Sequence, residues 1–194
     1  EFDAAELRDW SLLKGSGKAP LRVERGMVHV PDDEGLRGLW RSTPSIKDTQ
    51  LSVRFFADID PLAKVGVLYG VQDEETHYRA DIYPGRGVAR ILRRIDGVDG
   101  LVAEVGDLEI PQGMWLTLNI SWKEGEHVVS LGRVPLASGT DATWDKGGVG
   151  LVVDGRGAVS FDAIFTSPSE HARFANRYAE PTQRELKFYE GRQP

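Results

Sequence analysis

The sequence predicts an all-β domain, either a sandwich of two sheets or a barrel, on three observations. Short apolar or alternating runs recur along most of the chain at the spacing typical of such folds. Turn signals separate these runs, and glycine accounts for 22 of the 194 residues. No strand–helix–strand rhythm is present, which argues against a parallel α/β sheet.

The individual strands are predicted from runs with a period of two residues. Leu51–Asp58 is the clearest, because Leu51, Val53, Phe55 and Ala57 alternate with polar or outward-facing residues. Such alternation indicates a sheet with one buried and one solvated face. The other predicted strands are Leu21–Glu24, Met27–Val30, Lys64–Val71, His77–Tyr83, Val88–Ile95, Leu101–Val105, Met114–Lys123, His127–Leu131, Gly148–Val153 and Ala158–Thr166.

Turn chemistry supports the hairpins and marks the end of the domain. Arg25-Gly26 is predicted to close the first hairpin, and Asp96–Gly100 to form a glycine-rich turn. We assign residues 1–167 to one sandwich domain and residues 168–194 to a C-terminal tail. The tail is predicted to be a short helix over Ser169–Tyr178, capped by Ser169, or an extended strap.

Two of the five tryptophans have predicted positions. Trp122 has the same parity as Leu118 and Ile120, which predicts a core position. Trp40 follows a glycine-containing segment, Gly35–Leu39, and is predicted to face a loop rim.

Charge and composition exclude several classes of partner. The net charge is −6 and no basic block is present, which argues against nucleic acid and against an anionic membrane surface. The absence of cysteine excludes disulfides and Cys-ligated zinc. No run approaches the roughly 20 apolar residues of a membrane span, so no membrane insertion is expected.

Four segments, taken in order, carry a family resemblance. They are Leu21–Val28, then Gly66–Asp73 with His77–Asp81, then Trp115–Ile120, and finally Gly148–Leu151 with Val159–Ile164. Together they resemble the concanavalin A-like lectin/glucanase superfamily, of the laminin-G and 3-keto-disaccharide hydrolase type. The resemblance implies an antiparallel two-sheet jelly roll. The fold alone does not assign a function, because lectins, glycosidases, lyases and adhesion domains share it.

Carbohydrate binding is the function that the resemblance implies first. Sugars are recognised by aromatic rings and planar hydrogen-bonding groups, and arginine suits a uronate or sulfate. The expected partner is then a glycan or polysaccharide. Other domains of a larger protein are a further expected partner. The alternative is a solvated face with ion pairs between Asp81 and Arg79 or Arg90. The residues expected to line a concave sheet face are Arg54, Arg79, Asp81, Tyr83, Arg90 and Asn119.

A structural calcium ion is a second implication of the resemblance. Superfamily members often hold calcium between the N-terminal segment, the first hairpin turn and the last strand, and calcium prefers carboxylate and carbonyl oxygens. The matching positions are Asp3, Glu24, Gly26 and Asp162, with Asp3 expected near Asp162 because first and last strands pair in such folds. The alternative is that Asp162 only caps or pairs at a strand end.

Catalysis is left open by the sequence. Retaining glycosidases need two carboxylates about 5–5.5 Å apart. The acidic runs Asp73–Glu75 and Asp32–Glu34 read as turns, so no catalytic residue is assigned. A glycoside hydrolase or polysaccharide lyase, and a protein-interaction or structural module, are the alternatives to a binding module. Glu1–Trp10 is acidic and polar, without the pattern of a signal peptide, and we expect a secreted, periplasmic or cell-surface protein, with the cytoplasm left open.

Overall fold

The computed structural model describes residues 6–14, 21–47 and 49–168 and contains fourteen β-strands in these ranges. Helix is limited there to two 3-10 segments, Glu6–Asp9 and Pro84–Arg86. The strands are β1 (Ser11–Leu12), β2 (Arg22–Glu24), β3 (Met27–Val30), β4 (Leu36–Lys47), β5 (Thr49–Ile59), β6 (Lys64–Asp73), β7 (Thr76–Tyr83), β8 (Val88–Ile95), β9 (Val98–Val105), β10 (Trp115–Lys123), β11 (Glu126–Leu131), β12 (Val134–Thr140), β13 (Lys146–Asp154) and β14 (Gly157–Pro168).

The strands form two antiparallel sheets of seven strands each. Sheet I has the order β1-β4-β13-β6-β7-β8-β9, and sheet II has the order β12-β11-β10-β5-β14-β3-β2. Strands β6 to β9 are neighbours both along the chain and in sheet I, joined by short hairpin turns. This arrangement confirms the predicted two-sheet jelly-roll sandwich. No helix within the described ranges is long and apolar enough to cross a membrane.

The core lies between the two sheets, on the inward faces that the alternation predicts. Leu51, Val53, Phe55 and Ala57 of β5 are all buried. Trp122 of β10 is buried too, which confirms its predicted core position. Each fully buried large apolar side chain contributes about 1.5–3 kcal/mol to folding, so these rows hold the sheets together.

A hydrogen-bonded aromatic cluster occupies part of this interior. The Tyr69 hydroxyl donates to Nδ1 of His127 at 2.9 Å, and Nε2 of His127 donates to the Asp141 carbonyl at 2.8 Å. Because a carbonyl only accepts, this pairing fixes the neutral tautomer of His127. The Tyr78 hydroxyl donates to Oδ1 of Asp141 at 2.7 Å. Burial and this hydrogen bond raise the pKa of Tyr78 to about 12, so its proton remains in place.

A buried arginine ties two turns at one end of the sandwich. The Arg37 guanidinium, on β4, donates to the backbone carbonyls of Pro31, Gly155 and Gly157, the last at 3.1 Å. A buried charge is stable only when its donors are satisfied, and carbonyl oxygens do that here. The turn before β4 is thereby fixed to the turn between β13 and β14.

Two local expectations differ from the structure. Trp40 was expected to face a loop rim, but it lies within β4, which begins at Leu36. The turn expected over Asp96–Gly100 is confined to Asp96-Gly97, because β9 begins at Val98. The predicted C-terminal helix and Asp3 lie outside the described residues.

Candidate functional site

The six residues expected to line one concave face lie on both sheets. Because the inward faces of the sheets pack on each other, their outer faces point away from each other, and one ligand cannot contact both. The expectation of a single shared face was therefore wrong. Sheet I carries Arg79, Asp81 and Tyr83 on β7 and Arg90 on β8, whereas sheet II carries Arg54 on β5 and Asn119 on β10.

The outer face of sheet I, over strands β6 to β9, carries a connected set of ion pairs, which we call the polar face. Oδ2 of Asp81 accepts from Lys64 Nζ at 3.1 Å and from Arg79 Nε at 2.8 Å. Nη2 of Arg79 also donates to Asp99 at 3.1 Å. Asp99 in turn accepts from Arg94 Nη1 at 2.8 Å. The ion pair of Arg79 with Asp81, one of the sequence alternatives, is thus present as part of a larger network.

The central charges of the polar face are buried. The Asp81 side chain is 0% exposed, that of Lys64 is 9% exposed and that of Arg79 is 11% exposed. Buried charges are retained only when they are paired and hydrogen-bonded, so each of these groups has a fixed orientation. Burial alone would raise the pKa of Asp99, but hydrogen bonds and charges from Arg94 and Arg79 hold that pKa below its usual value.

Two buried groups on β7 lack hydrogen-bond partners. Oδ1 of Asp81 has none, although Oδ2 of the same carboxylate has two. Oδ1 lies over Gly66 of β6, since a Cβ placed on that glycine would be only 2.4 Å from it. Neither ring nitrogen of His77 makes a well-formed hydrogen bond, although the backbone of Asp73 partly favours its charged form. Burial, with the charges of Arg79 and Arg94, lowers the pKa of His77 to about 4.

The accessible rim of the polar face is formed by Tyr83, Arg90 and Glu104. Glu104 faces Arg90 across β8 and β9, and its Oε2 accepts from Arg90 Nε. The Arg90 guanidinium also lies over the Tyr83 ring, 5.1 Å from its centroid. The Arg90 side chain is 34% exposed and that of Glu104 is 42% exposed. The hydrogen bond to Glu104 raises the pKa of Arg90, so the Arg90 guanidinium stays charged.

The other half of sheet I is covered by the N-terminal residues 6–14, which we call the strap. In the strap, β1 pairs with β4, and the buried Leu13 packs in an apolar cluster with Leu68 and Val152. The next residue, Lys14, forms an ion pair with Glu74 in the β6–β7 turn. The strap therefore bounds the polar face on the side of β6.

The outer face of sheet II has a different character, and we call its central cluster the aromatic patch: Arg54, Phe56, Trp115 and Asp162. The Arg54 guanidinium lies 5.0 Å from the Trp115 ring centroid, and Phe56 contacts the same ring at 5.8 Å. Arg54 also pairs with Asp162 at 3.1 Å, with side chains 42% and 28% exposed. The nearby Asn119 uses its amide internally, accepting from Ser52 and donating to the Gly132 carbonyl.

The expected calcium ligands do not form a site among the described residues. Glu24 is exposed on β2, and Asp162 lies on β14, with β3 between these strands. The Asp162 carboxylate is paired with Arg54. Within the described ranges no group of three or more His, Asp or Glu side chains could hold a metal ion. Asp3 lies outside those ranges.

Sequence reasoning missed several members of the polar face. Lys64, Asp99, Arg94 and Glu104 were not selected, although the turn chemistry contained a usable signal. A two-residue turn at Asp96-Gly97 fixes the register of the adjoining part of β8 and β9, which places Arg94 opposite Asp99. Arg90 faces Glu104 only because a bulge between Ile91 and Leu92 shifts the register by one residue, and the turn does not predict that shift. Opposite charges facing each other across one hairpin indicate a paired charge row.

Comparison with known proteins establishes the fold. No protein-family model and no curated protein matches the chain. The carbohydrate-binding module CBM66 from Bacillus subtilis superposes with a TM-score of 0.66 and 12% identity, over 82% of this chain and 95% of that one. CG-16, a homodimeric agglutinin from chicken liver, superposes with a TM-score of 0.54 and 19% identity, over 67% of this chain and 99% of that one. The exoplasmic/lumenal domain of VIP36, in its Ca²⁺/Man3GlcNAc-bound form, superposes with a TM-score of 0.64 and 9% identity, over 86% of each chain.

These likenesses define the class of fold. The chain has the concanavalin A-like jelly-roll fold of lectin and glucanase type, which confirms the resemblance found in the sequence. Its structural neighbours include carbohydrate-binding modules and lectins. At 9–19% identity these matches establish the fold alone, and the function has to be argued from the site.

Proposed function

We propose that this protein is a carbohydrate-binding module that binds a glycan on the polar face of sheet I. The observation that carries the proposal is the rim of Arg90, Glu104 and Tyr83, half-exposed and backed by buried ion pairs. Planar donors and acceptors of this kind, beside an aromatic ring, are suited to sugar hydroxyls.

The buried ion pairs favour binding by fixing the geometry in advance. A free arginine loses side-chain entropy when it binds a ligand, and association is weaker by that cost. On the polar face, Arg79 is held by both Asp81 and Asp99, and Arg90 is held by Glu104 and Tyr83. A glycan would therefore meet groups that are already in position, and little further ordering would oppose binding.

The structural neighbours support this proposal at the level of the fold. One is described as a carbohydrate-binding module, another as an agglutinin, and VIP36 as bound to Man3GlcNAc. An exported location, secreted or at the cell surface, agrees with a glycan ligand. Cell fractionation of the native host tests it, and recovery of the protein only with the cytosol would contradict it.

Calcium is a separate, optional part of the proposal. A calcium ion held by Asp3, the Gly26 carbonyl, Glu24 and Asp162 would bind only the folded state and would raise the melting temperature. Asp162 would first have to release Arg54. An unchanged melting temperature after chelation and after calcium addition would remove the ion from the proposal, and glycan binding would stand without it.

A glycan array followed by isothermal titration calorimetry tests the proposed function. We expect a saccharide ligand whose affinity falls about tenfold or more in Arg90→Ala, because a charge-assisted hydrogen bond contributes about 1.5–3 kcal/mol. Arg54→Ala is the matched control, since Arg54 is an exposed, ion-paired arginine on the opposite sheet. The proposal fails if no saccharide binds, or if both variants lose affinity equally.

A further inference from the structure

The positive and negative charges on and around the polar face are equal in number. Four of its cations have a carboxylate partner: Lys64 with Asp81 and Asp154, Arg79 with Asp81 and Asp99, Arg90 with Glu104, and Arg94 with Asp99 and Glu75. Arg86 contacts the Tyr83 ring, 5.8 Å from the guanidinium carbon to the centroid. Five cations thus face five carboxylates, which leaves a net charge of zero on a chain whose overall charge is −6.

This balance disfavours an anionic ligand. A uronate or sulfate that approaches Arg79 or Arg90 has to displace a carboxylate already bound there. The displaced carboxylate then loses one of its partners, at a cost that is highest for the fully buried Asp81. The incoming anion would also be repelled by the remaining carboxylates, so Arg79 and Arg90 do not provide a site for negative charge.

A sugar hydroxyl group, unlike an anion, can bind without displacing a carboxylate. Each sugar hydroxyl donates one hydrogen bond and accepts others, so it can contact a guanidinium and the neighbouring carboxylate without separating them. Arg90 and Glu104 present such a pair at the accessible rim. A neutral sugar can therefore bind to intact ion pairs.

The buried carboxylate of Asp81 supports this discrimination from beneath the surface. Its side chain is 0% exposed, so a ligand does not contact it, and its charge holds Lys64 and Arg79 in place. A carboxylate or sulfate that approaches these cations would be repelled by the Asp81 charge, whereas an uncharged hydroxyl would not.

We infer that the polar face selects uncharged glycans through their hydroxyl groups and rejects uronates and sulfated sugars; this inference rests on the proposed function. The accessible ion pair of Arg90 and Glu104 acts as a combined donor and acceptor site for ligand hydroxyls. The sequence had suggested the reverse, because isolated arginines suit a uronate or sulfate.

The test uses the glycan with the strongest array signal in two chemical forms. Oxidation of its primary alcohols to carboxylates, or reduction of existing carboxyl groups to alcohols, gives a charged and a neutral form with the same linkages. Calorimetry should show at least about tenfold weaker binding of the charged form, the effect of losing one charge-assisted hydrogen bond. Equal or tighter binding of the charged form overturns the inference and leaves the proposed function intact, whereas no saccharide binding at all defeats the proposed function.

Two substitutions release a cation and should change the preference. Glu104→Gln removes the carboxylate partner of Arg90 at the exposed rim, where the fold is little affected. The ratio of the dissociation constants of the charged and neutral forms should then fall about tenfold. Asp81→Asn removes one carboxylate from Lys64 and Arg79, which keep Asp154 and Asp99, and should act in the same direction to a smaller extent. Asp162→Asn is the control, because it frees Arg54 on the opposite sheet. A preference that is unchanged in Glu104→Gln, or changed equally in Asp162→Asn, contradicts the inference.

Discussion

The two outer faces of the sandwich use the same residue types in different ways. On the polar face of sheet I, the Arg79 and Asp81 side chains are buried and belong to a network that crosses four neighbouring strands. In the aromatic patch of sheet II, Arg54 and Asp162 form a pair that remains open to solvent. The comparison shows that an arginine on a strand becomes part of a rigid charge network where neighbouring strands supply carboxylates and exclude water.

Removing a carboxylate from each face should give the largest difference. Asp81→Ala leaves Lys64 and Arg79 buried without their shared partner, so we expect a loss of about 3–5 kcal/mol in the free energy of unfolding. Asp162→Ala breaks a solvent-exposed pair and should cost about 0–1 kcal/mol. Urea denaturation of both variants measures the two losses of unfolding free energy. Equal losses would show that the ion pairs of the two faces contribute equally to stability.

Acid should weaken the polar face through His77, whose ring is surrounded by Arg79, Arg94 and the partly compensating Asp99. The pKa of His77 is about 4 in the folded protein and about 6.5 when unfolded, so the unfolded state binds the proton first as the pH falls. Stability is therefore complete above pH 6.5 and falls by about 3 kcal/mol toward pH 4 from this group alone.

The variant His77→Gln isolates this effect. It should reduce the difference in unfolding free energy between pH 7 and pH 4 by about the same 3 kcal/mol. His127, whose pKa is lowered by its burial in the interior, should continue to contribute a loss at low pH. An unchanged pH dependence in His77→Gln would mean that His77 does not stay neutral in the folded protein.

The smallest expected effect is in the aromatic patch. Arg54→Ala removes the contact with the Trp115 ring and the pair with Asp162, both at the surface. Exposed interactions of these two kinds contribute about 0.5–1 kcal/mol each at most, so the unfolding free energy should fall by about 1 kcal/mol. A loss of unfolding free energy as large as that in Asp81→Ala would mean that Arg54 is as important for stability as the buried charges of the polar face. That result would contradict the difference between the two faces.

The strands were largely predictable, because apolar residues recur along the sequence with a period of two or in short runs between turn signals. Leu51–Asp58 and His77–Tyr83 lie within β5 and β7, and Trp122 is in the core. Strand β4 was missed because glycine and proline interrupt its pattern, and its pairing with β13 is broken by a bulge. The burial of Arg37 depends on carbonyls from residues 155 and 157, far away in sequence, which no local pattern reveals.

The site was predictable only in part. Alternation shows that Arg54 and Arg79 both face outward, but it does not show which sheet each strand joins. That assignment depends on topology, since β5 crosses to sheet II while β6 to β9 remain together in sheet I. Asp99 was missed because it was placed in a turn, whereas it is the second residue of β9.

The most direct measurement is a ¹H–¹⁵N NMR titration of the protein with the glycan identified on the array. Backbone amides and arginine side-chain Nε–H groups report which face the ligand contacts. We expect the signals of Arg79, Tyr83, Arg90 and Glu104 to shift with a common dissociation constant, and those of Arg54 and Trp115 to stay in place. Shifts confined to Arg54, Trp115 and their neighbours would contradict the assignment of binding to the polar face.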